Sequence, residues 1–261
     1  MTPLRTIGIS GLLGFRALFA WNTPGLFVTS LLLTPTLQIL FFVALGQALA
    51  YQDPAFFIVG NGIQVAATAG IAGMVSVIAD ERRFGTLSMV LGSPGSRVAV
   101  FVGRMLPGVV CGFIVASLTS VVGLALVSRP LDPPQLLLYM LAIIVAAVSC
   151  SAMGLALSAC GLAYRDIFQI ATAAYLLTMV VSGANIDRST LPEWTRILGD
   201  ALPTTHAIDA VRAMLDGETV RTALVSVALE GCVAAVWVAV ALVLMKLFER
   251  VAKRRDALDL Y

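Results

Sequence analysis

The sequence predicts an all-α membrane protein with six transmembrane helices. Of its 261 residues, 59% are hydrophobic and 12% are charged, which is far less charge than the surface of a soluble domain carries. The hydrophobic residues form runs of about 20, the length that an α-helix needs to cross a bilayer. These runs lack the alternation of a transmembrane β-strand. The chain is therefore interpreted as a single membrane domain over residues 1–261.

The six predicted spans follow the apolar runs in order. They lie within residues 24–50, 54–79, 105–128, 134–157, 167–183 and 222–245. Spans one to five thus fall within residues 24–183. The residues after the sixth span, 246–261, are predicted to form a tail in the cytoplasm.

Residues 1–23 precede the first span and are predicted to form an interfacial helix. They are moderately apolar, and Arg5 and Arg16 are eleven residues apart, which places them on one face of a helix. Such a helix can lie at the membrane surface. The alternative is a terminus without stable structure.

Residues 187–218 are predicted to form short extracellular helices before the last span. Leu191, Trp194, Ile197 and Leu198 share one helical face, and a second apolar stripe runs from Ala207 to Leu215. On that second helix Asp209, Arg212 and Asp216 are spaced so that they can pair. Either the two helices dip into the outer leaflet, or they form a small cap with no function of its own.

The distribution of basic residues gives the orientation. Arginine and lysine are concentrated before the first span, between spans two and three, and after span six. The positive-inside rule therefore predicts that both termini lie on the cytoplasmic side of a bacterial-type cytoplasmic membrane.

Few polar residues lie inside the spans, and such groups are costly in lipid. We expect them to face neighbouring helices or a translocation pathway. For Glu230, a structural hydrogen bond and a role in transport are equally good interpretations. The candidate pathway residues are Gln38, Asn61, Gln64, Thr68 and Glu230.

The sequence contains no enzyme motif and no metal-binding pattern. It has no P-loop, HExxH or GxSxG motif, so we predict no catalytic residues and no ATP site in this chain. The four cysteines lie in apolar runs without CxxC spacing. The single histidine, His206, has no nucleophile or metal ligand near it in sequence and is interpreted as a capping or interfacial residue. A net charge of +2 gives no reason to expect nucleic-acid binding.

A charged, amphipathic segment lies between spans two and three. It reads Asp80-Glu81-Arg82-Arg83-Phe84-Gly85-Thr86-Leu87 and continues to Pro94. Apolar side chains at Phe84, Leu87, Val90 and Leu91 share one helical face. Such a segment in the cytoplasm is suited to contact a soluble partner, whereas the alternative is an ordinary positively charged loop.

This segment resembles a signature of the permease subunits of type-2 ABC exporters. The residues from Glu81 to Leu87, with Ser93-Pro94, Arg97 and Gly103-Arg104, are similar to the family pattern ERR-x-GTLE…SP…GR, although Ser88 stands where the family usually has an acid. The stretches Leu191–Trp194 and Leu202–Arg212 also resemble the family's pattern before the last span. The resemblance extends over nearly the whole chain.

The resemblance implies a coupling helix that fits into a groove of a separate ATP-binding subunit. The residues it assigns to this contact are Glu81, Arg82, Arg83, Phe84, Gly85, Thr86, Leu87 and Leu91. It also implies two ATP-binding subunits, which bind ATP and Mg²⁺, and a second permease, identical or paralogous. The cargo is expected to be hydrophobic or amphipathic: a drug, an antibiotic, a lipid or a glycan.

Two other classes of protein are considered. A stand-alone carrier or channel predicts more ionisable groups in the spans or an internal repeat, and neither is evident. A membrane-embedded enzyme predicts polar catalytic residues clustered at one interface. The exporter permease is the best interpretation of the sequence.

Overall fold

The computed structural model describes residues 3–21, 29, 33–49, 53–76, 97–127, 131–160 and 167–258. Every regular element in these residues is helical, as predicted. The α-helices are α1 (Pro3–Trp21), α2 (Thr34–Leu49), α3 (Pro54–Ala67), α4 (Arg97–Leu126), α5 (Pro133–Cys160), α6 (Ile167–Val181), α7 (Glu193–Ala201), α8 (Thr205–Leu215) and α9 (Val220–Leu258). A π-helical turn, Thr68–Ala72, continues α3, and a 3-10 turn, Arg188–Thr190, precedes α7.

Four helical segments in the described residues are long and apolar enough to cross a membrane. They are Pro54–Ser76, Ala99–Leu126, Pro133–Cys160 and Val220–Leu247. These correspond to predicted spans two, three, four and six, although the third helix begins at Arg97, before the predicted residue 105. The apolar helices α2 and α6 have 16 and 15 residues. Because 15 residues of helix extend only about 22 Å, α6 alone is shorter than a hydrocarbon core of about 30 Å.

The first of these spans begins at a well-formed helix cap. Asp53 is the N-cap of α3, and its side chain accepts a 2.9 Å hydrogen bond from the backbone N–H of Ala55. Pro54 occupies the first helical turn, where its missing N–H costs nothing. This cap lies at one end of the bundle, called here the hairpin end, where Asp53 lines a cleft together with Asp187, Arg212 and Asp216.

Helix α5 forms the centre of the bundle and packs against α9, α4 and α3. Its inward face carries small residues together with Tyr139 and Ile143, which are fully buried. Small residues let the neighbouring backbones approach closely. At Gly62 of α3, a Cβ atom would lie 2.3 Å from Ser120 Oγ and 2.6 Å from the Tyr139 hydroxyl oxygen. The Tyr139 hydroxyl donates to Ser120 across this contact, over 2.9 Å.

Helix α1 packs against the beginning of α4. A Cβ atom at Gly103 would lie 2.5 Å from the carbonyl oxygen of Ile7, and one at Gly14 would lie 3.2 Å from Pro107. Leu12 and Leu13 remain exposed on the opposite side. An amphipathic helix with one face on the bundle and apolar side chains exposed is consistent with a membrane-surface location, which stays a prediction.

The two short helices α7 and α8 form a hairpin, residues 193–215, that enters the bundle. The backbone N–H of Thr204, at the tip, donates to Glu230, which lies ten residues after the start of α9. That separation corresponds to about 15 Å along the helix axis. The carbonyl oxygen of Ala201 accepts a 3.0 Å hydrogen bond from Trp237, farther still along α9. Two helices are therefore present within the predicted range 187–218, and their tip packs beside the middle of α9. Their extracellular location stays a prediction.

The apolar stripes of the two hairpin helices have different surroundings. Helix α8 buries its apolar stripe, whereas α7 leaves Trp194 and Ile197 exposed and buries Thr195 and Gly199. A small residue is needed there because a Cβ atom at position 199 would lie 2.7 Å from the carbonyl oxygen of Val181. Close backbone contact therefore determines which face of α7 turns inward.

Candidate functional site

The residues predicted to contact an ATP-binding subunit lie outside the described residues. They all belong to the segment 77–96, which precedes α4. Their assignment stays a prediction. The residues concerned are Glu81, Arg82, Arg83, Phe84, Gly85, Thr86, Leu87 and Leu91.

The predicted pathway residues Gln38 and Asn61 belong to one partly buried polar cluster. The side-chain amide of Gln38, on α2, donates to Asn61 Oδ1 over 3.3 Å. Asn61, which is fully buried on α3, donates in turn to Asn185 Oδ1 over 2.8 Å and to the carbonyl oxygen of Phe57 over 3.0 Å. The cluster joins α2, α3 and the loop after α6.

Gln64 and Glu230 belong to a second cluster, which is built around the tip of the hairpin. The backbone N–H of Thr204 donates to Glu230 Oε1, and the Thr204 hydroxyl donates to Gln64 Oε1, each over 3.0 Å. All three residues are fully buried. Two spans, α3 and α9, therefore hold one residue of the tip.

Glu230 acts as the N-terminal cap of α8 although it belongs to another helix. Thr204 is the N-cap residue of α8 by position, but its side chain makes no capping hydrogen bond. The first N–H groups of a helix have no partner within the helix and carry partial positive charge. Glu230 accepts from Thr204, and the backbone N–H of Ala207, in the first turn of α8, also faces the carboxyl. A carboxylate inside a span is thereby paired with the end of a helix.

The backbone of Thr204 is strained. Its φ is +77°, in the left-handed region, which no other described residue except glycine occupies. For a β-branched residue this conformation costs about 1–2 kcal/mol. In this conformation Thr204 donates two hydrogen bonds, from its backbone N–H to Glu230 on α9 and from its hydroxyl to Gln64 on α3.

Arg212 fastens α8 to the beginning of α3 at the hairpin end. Its guanidinium donates to the carbonyl oxygens of Gly183, Ala184 and Phe56 over 2.8, 3.2 and 3.1 Å. It also lies 3.6 Å from the centre of the Phe56 ring, which is a cation–π contact. Burial lowers the pKa of Arg212 to about 10, and nearby carboxylates oppose that shift. The side chain therefore keeps its charge at neutral pH.

Arg188 fastens the two helices of the hairpin to each other. Its guanidinium forms ion pairs with Asp200, at the end of α7, and with Asp209, on α8. Burial lowers the pKa of Arg188, but the two carboxylates outweigh burial and raise it above its ordinary value. Asp209 thus pairs with a residue of the preceding loop, which differs from the predicted pairing within α8.

The charged groups at the hairpin end line a small cleft of about 250 Å³. Its lining combines charged side chains with the apolar residues Ala55, Phe56 and Leu215. Within the described part of the chain, no group of three or more His, Cys, Asp or Glu side chains is placed to hold a metal ion. The charged lining residues are Asp53, Asp187, Arg188, Asp209, Arg212 and Asp216.

The structure brings four of the five predicted pathway residues into two hydrogen-bonded clusters, and Thr68 lies apart from them. Thr68 begins the π-helical turn and is exposed. The participation of Thr204 and Asn185 was not predicted from the sequence, because they lie 140 and 124 residues from their partners Gln64 and Asn61. The only local signal was the turn at Pro203-Thr204. His206 contacts the backbone of the hairpin, with Nε2 3.2 Å from the carbonyl oxygen of Asp200.

Comparison with known proteins identifies the family. Residues 12–215 match the family model described as ABC-2 type transporter, which covers most of the chain. No curated protein matches the sequence. The matched range includes every helix from the middle of α1 to the end of α8, and the sequence contains no ATP-binding motif of its own. The chain therefore belongs to the ABC-2 type transporter family, as a multi-pass membrane permease subunit.

Proposed function

We propose that this chain is the permease subunit of an ATP-driven exporter that moves a hydrophobic or amphipathic cargo out across the cytoplasmic membrane. The observation that carries the proposal is the family match over residues 12–215, on a bundle of apolar helices. Because the chain has no P-loop, ATP and Mg²⁺ would bind to a separate subunit. Two such subunits and a second permease, identical or paralogous, would complete the transporter.

In this proposal the segment around Phe84 and Leu87 couples the permease to ATP hydrolysis. The segment leads into α4, a helix of 30 residues, so a displacement at its beginning would be carried along the whole span. The apolar side chains would anchor in a groove of the ATP-binding subunit. Burial of each is worth about 1.5–3 kcal/mol. Glu81, Arg82 and Arg83 would supply charge complementarity at the rim of that contact.

The cargo would pass along a route between two permeases, near the predicted polar residues. Among these residues Thr68 is exposed in this chain, which supports a direct contact between Thr68 and cargo in this proposal. Gln38, Asn61, Gln64 and Glu230 would act through the hydrogen bonds that hold α2, α3 and α9. The proposed cytoplasmic location of both termini is supported by the positive-inside distribution of charge.

The test is co-expression of the tagged permease with its proposed ATP-binding subunit, followed by co-purification. We expect the double variant F84A/L87A to lose the ATP-binding subunit and ATP-driven export, because its anchors are gone. Its insertion into the membrane should be unchanged, since no span loses apolar length. The matched control is L12A/L13A, which removes two exposed leucines from α1. Retention of a fully active ATPase by F84A/L87A would contradict the coupling assignment.

Export itself is measured in vesicles that contain the complex and a fluorescent phospholipid analogue or a hydrophobic dye. Movement of either probe should require ATP and an intact ATP-binding subunit. Equal movement with the permease alone would instead identify a stand-alone carrier or channel.

A further inference from the structure

The contact between the hairpin tip and the spans has unused hydrogen-bonding capacity. Gln64 Nε2, Ser149 Oγ and Glu230 Oε2 are buried, and among the described residues none of these atoms makes a hydrogen bond of good geometry. The Ser149 side chain faces the Glu230 carboxyl from α5. Buried polar groups are normally paired, so an unpaired set at one place needs an explanation.

A contact that holds the hairpin tip permanently would be expected to consist mainly of apolar packing. A buried charge stabilises a fold less well than apolar packing of the same volume. The tip contact instead contains the carboxyl group of Glu230, the strained backbone of Thr204 and three buried polar atoms without a hydrogen bond of good geometry to the described residues. Backbone strain and unpaired polar groups are typical of a contact that is made and broken during function.

We propose that Glu230, Thr204 and Gln64 form a latch that holds the hairpin tip between transport cycles, and that export requires the tip to leave it. The inference rests on the proposed function, because a latch is needed only if the spans rearrange. On release, Glu230 keeps the hydroxyl of Ser149 as a neighbouring donor, and Gln64 regains its full hydrogen-bonding capacity for water. Thr204 relaxes out of the left-handed conformation. Glu230 and Gln64 are thus positioning residues for transport.

The latch is tested by locking it. The variant Q64C/T204C is made in a background without the native cysteines Cys111, Cys150, Cys160 and Cys232, and is treated with a short bifunctional thiosulfonate. Cross-linking should reduce ATP-driven export of the phospholipid analogue by roughly tenfold or more, because two or more hydrogen bonds that normally break are replaced by a covalent link. Reduction should restore the rate of the untreated variant.

The control cross-link is S120C/Y139C, which joins α4 and α5. The two native side chains are in direct contact, and neither belongs to the hairpin. This link should leave export unchanged. Normal export by cross-linked Q64C/T204C would overturn the latch while the proposed function stands. A wild-type complex that moves neither fluorescent probe under ATP would overturn both.

The number of cargo molecules exported per ATP hydrolysed gives a second, independent measurement. E230A removes the acceptor for Thr204 and should lower this ratio, because the tip is no longer held between cycles. E230Q keeps an oxygen that can accept from Thr204 and should stay closer to wild type. A purely structural role would lower the amount of folded complex without changing the ratio. An unchanged ratio in purified E230A would overturn the latch.

Discussion

The two helices of the hairpin have similar sequence patterns and opposite surroundings. Helix α8 packs its apolar stripe against α9, α5 and α3, and Ile208 is fully buried. On α7, the apolar residues Trp194 and Ile197 are exposed by 68% and 65%. Amphipathic periodicity therefore identifies an apolar face without identifying what covers it. For α8 the cover is the protein itself, and for α7 no described residue of this chain provides it.

The largest expected difference between the helices is in packing energy. Ile208→Ala should lower the free energy of unfolding by about 2–5 kcal/mol, because it leaves a cavity among α3, α5 and α9. The matched change on α7, Ile197→Ala, should stay within about 0.5 kcal/mol, since the side chain is mostly exposed. Thermal unfolding of the two variants in detergent measures both effects. Equal destabilisation would mean that the face of α7 is also covered in the folded subunit.

The second difference concerns the hydrogen bonds that an arginine side chain makes on each helix. Arg212→Ala leaves three carbonyl oxygens without their donor and should cost about 1.5–3 kcal/mol. Arg212→Lys should recover only part of this, because an ammonium group cannot reproduce the planar fork or its contact with Phe56. Arg196→Ala on α7 is the control and should be nearly neutral, since Arg196 is exposed. If Arg196→Ala destabilised the protein as much as Arg212→Ala, α7 would have a fastening of comparable strength.

The same contrast shows how much of the fold could be predicted. Helical class and four spans follow from the length of the apolar runs, which is a local property of the sequence. The depth of the hairpin could not be predicted, because it depends on contacts between residues far apart in the chain. Thr204 and Gln64 are separated by 140 residues, and nothing in the composition of residues 187–218 distinguishes a surface cap from a re-entrant hairpin.

Glu230 shows the same limit for the candidate site. An ionisable side chain is energetically costly inside a span. From the sequence, a structural hydrogen bond and a role in transport were equally good interpretations of Glu230. The structure supplies the bond, to the backbone of Thr204. The partner could not be recognised from residue type because the donor is a backbone N–H group. For the segment around Phe84, in contrast, the sequence motif predicts a contact with an ATP-binding subunit, and the structure describes none of the residues concerned.

A third expected difference is at the glycine through which α7 packs against α6. A Cβ atom at position 199 would lie 2.7 Å from the Val181 carbonyl oxygen, so Gly199→Ala must push α7 away from α6. We expect a loss of about 1–3 kcal/mol, the usual effect of overpacking a close contact. Gly231→Ala on α9 is the control, because in the described part of the chain no atom beyond its own helical turn lies within 4 Å of its Cβ position. There, the higher helix propensity of alanine should stabilise the protein by up to about 1 kcal/mol. Both variants are compared by thermal unfolding, with the amount of protein in the membrane as a second measurement. If Gly199→Ala were as well tolerated as Gly231→Ala, the exposure of Trp194 and Ile197 would need another cause, because α7 would then be free to turn its apolar face inward.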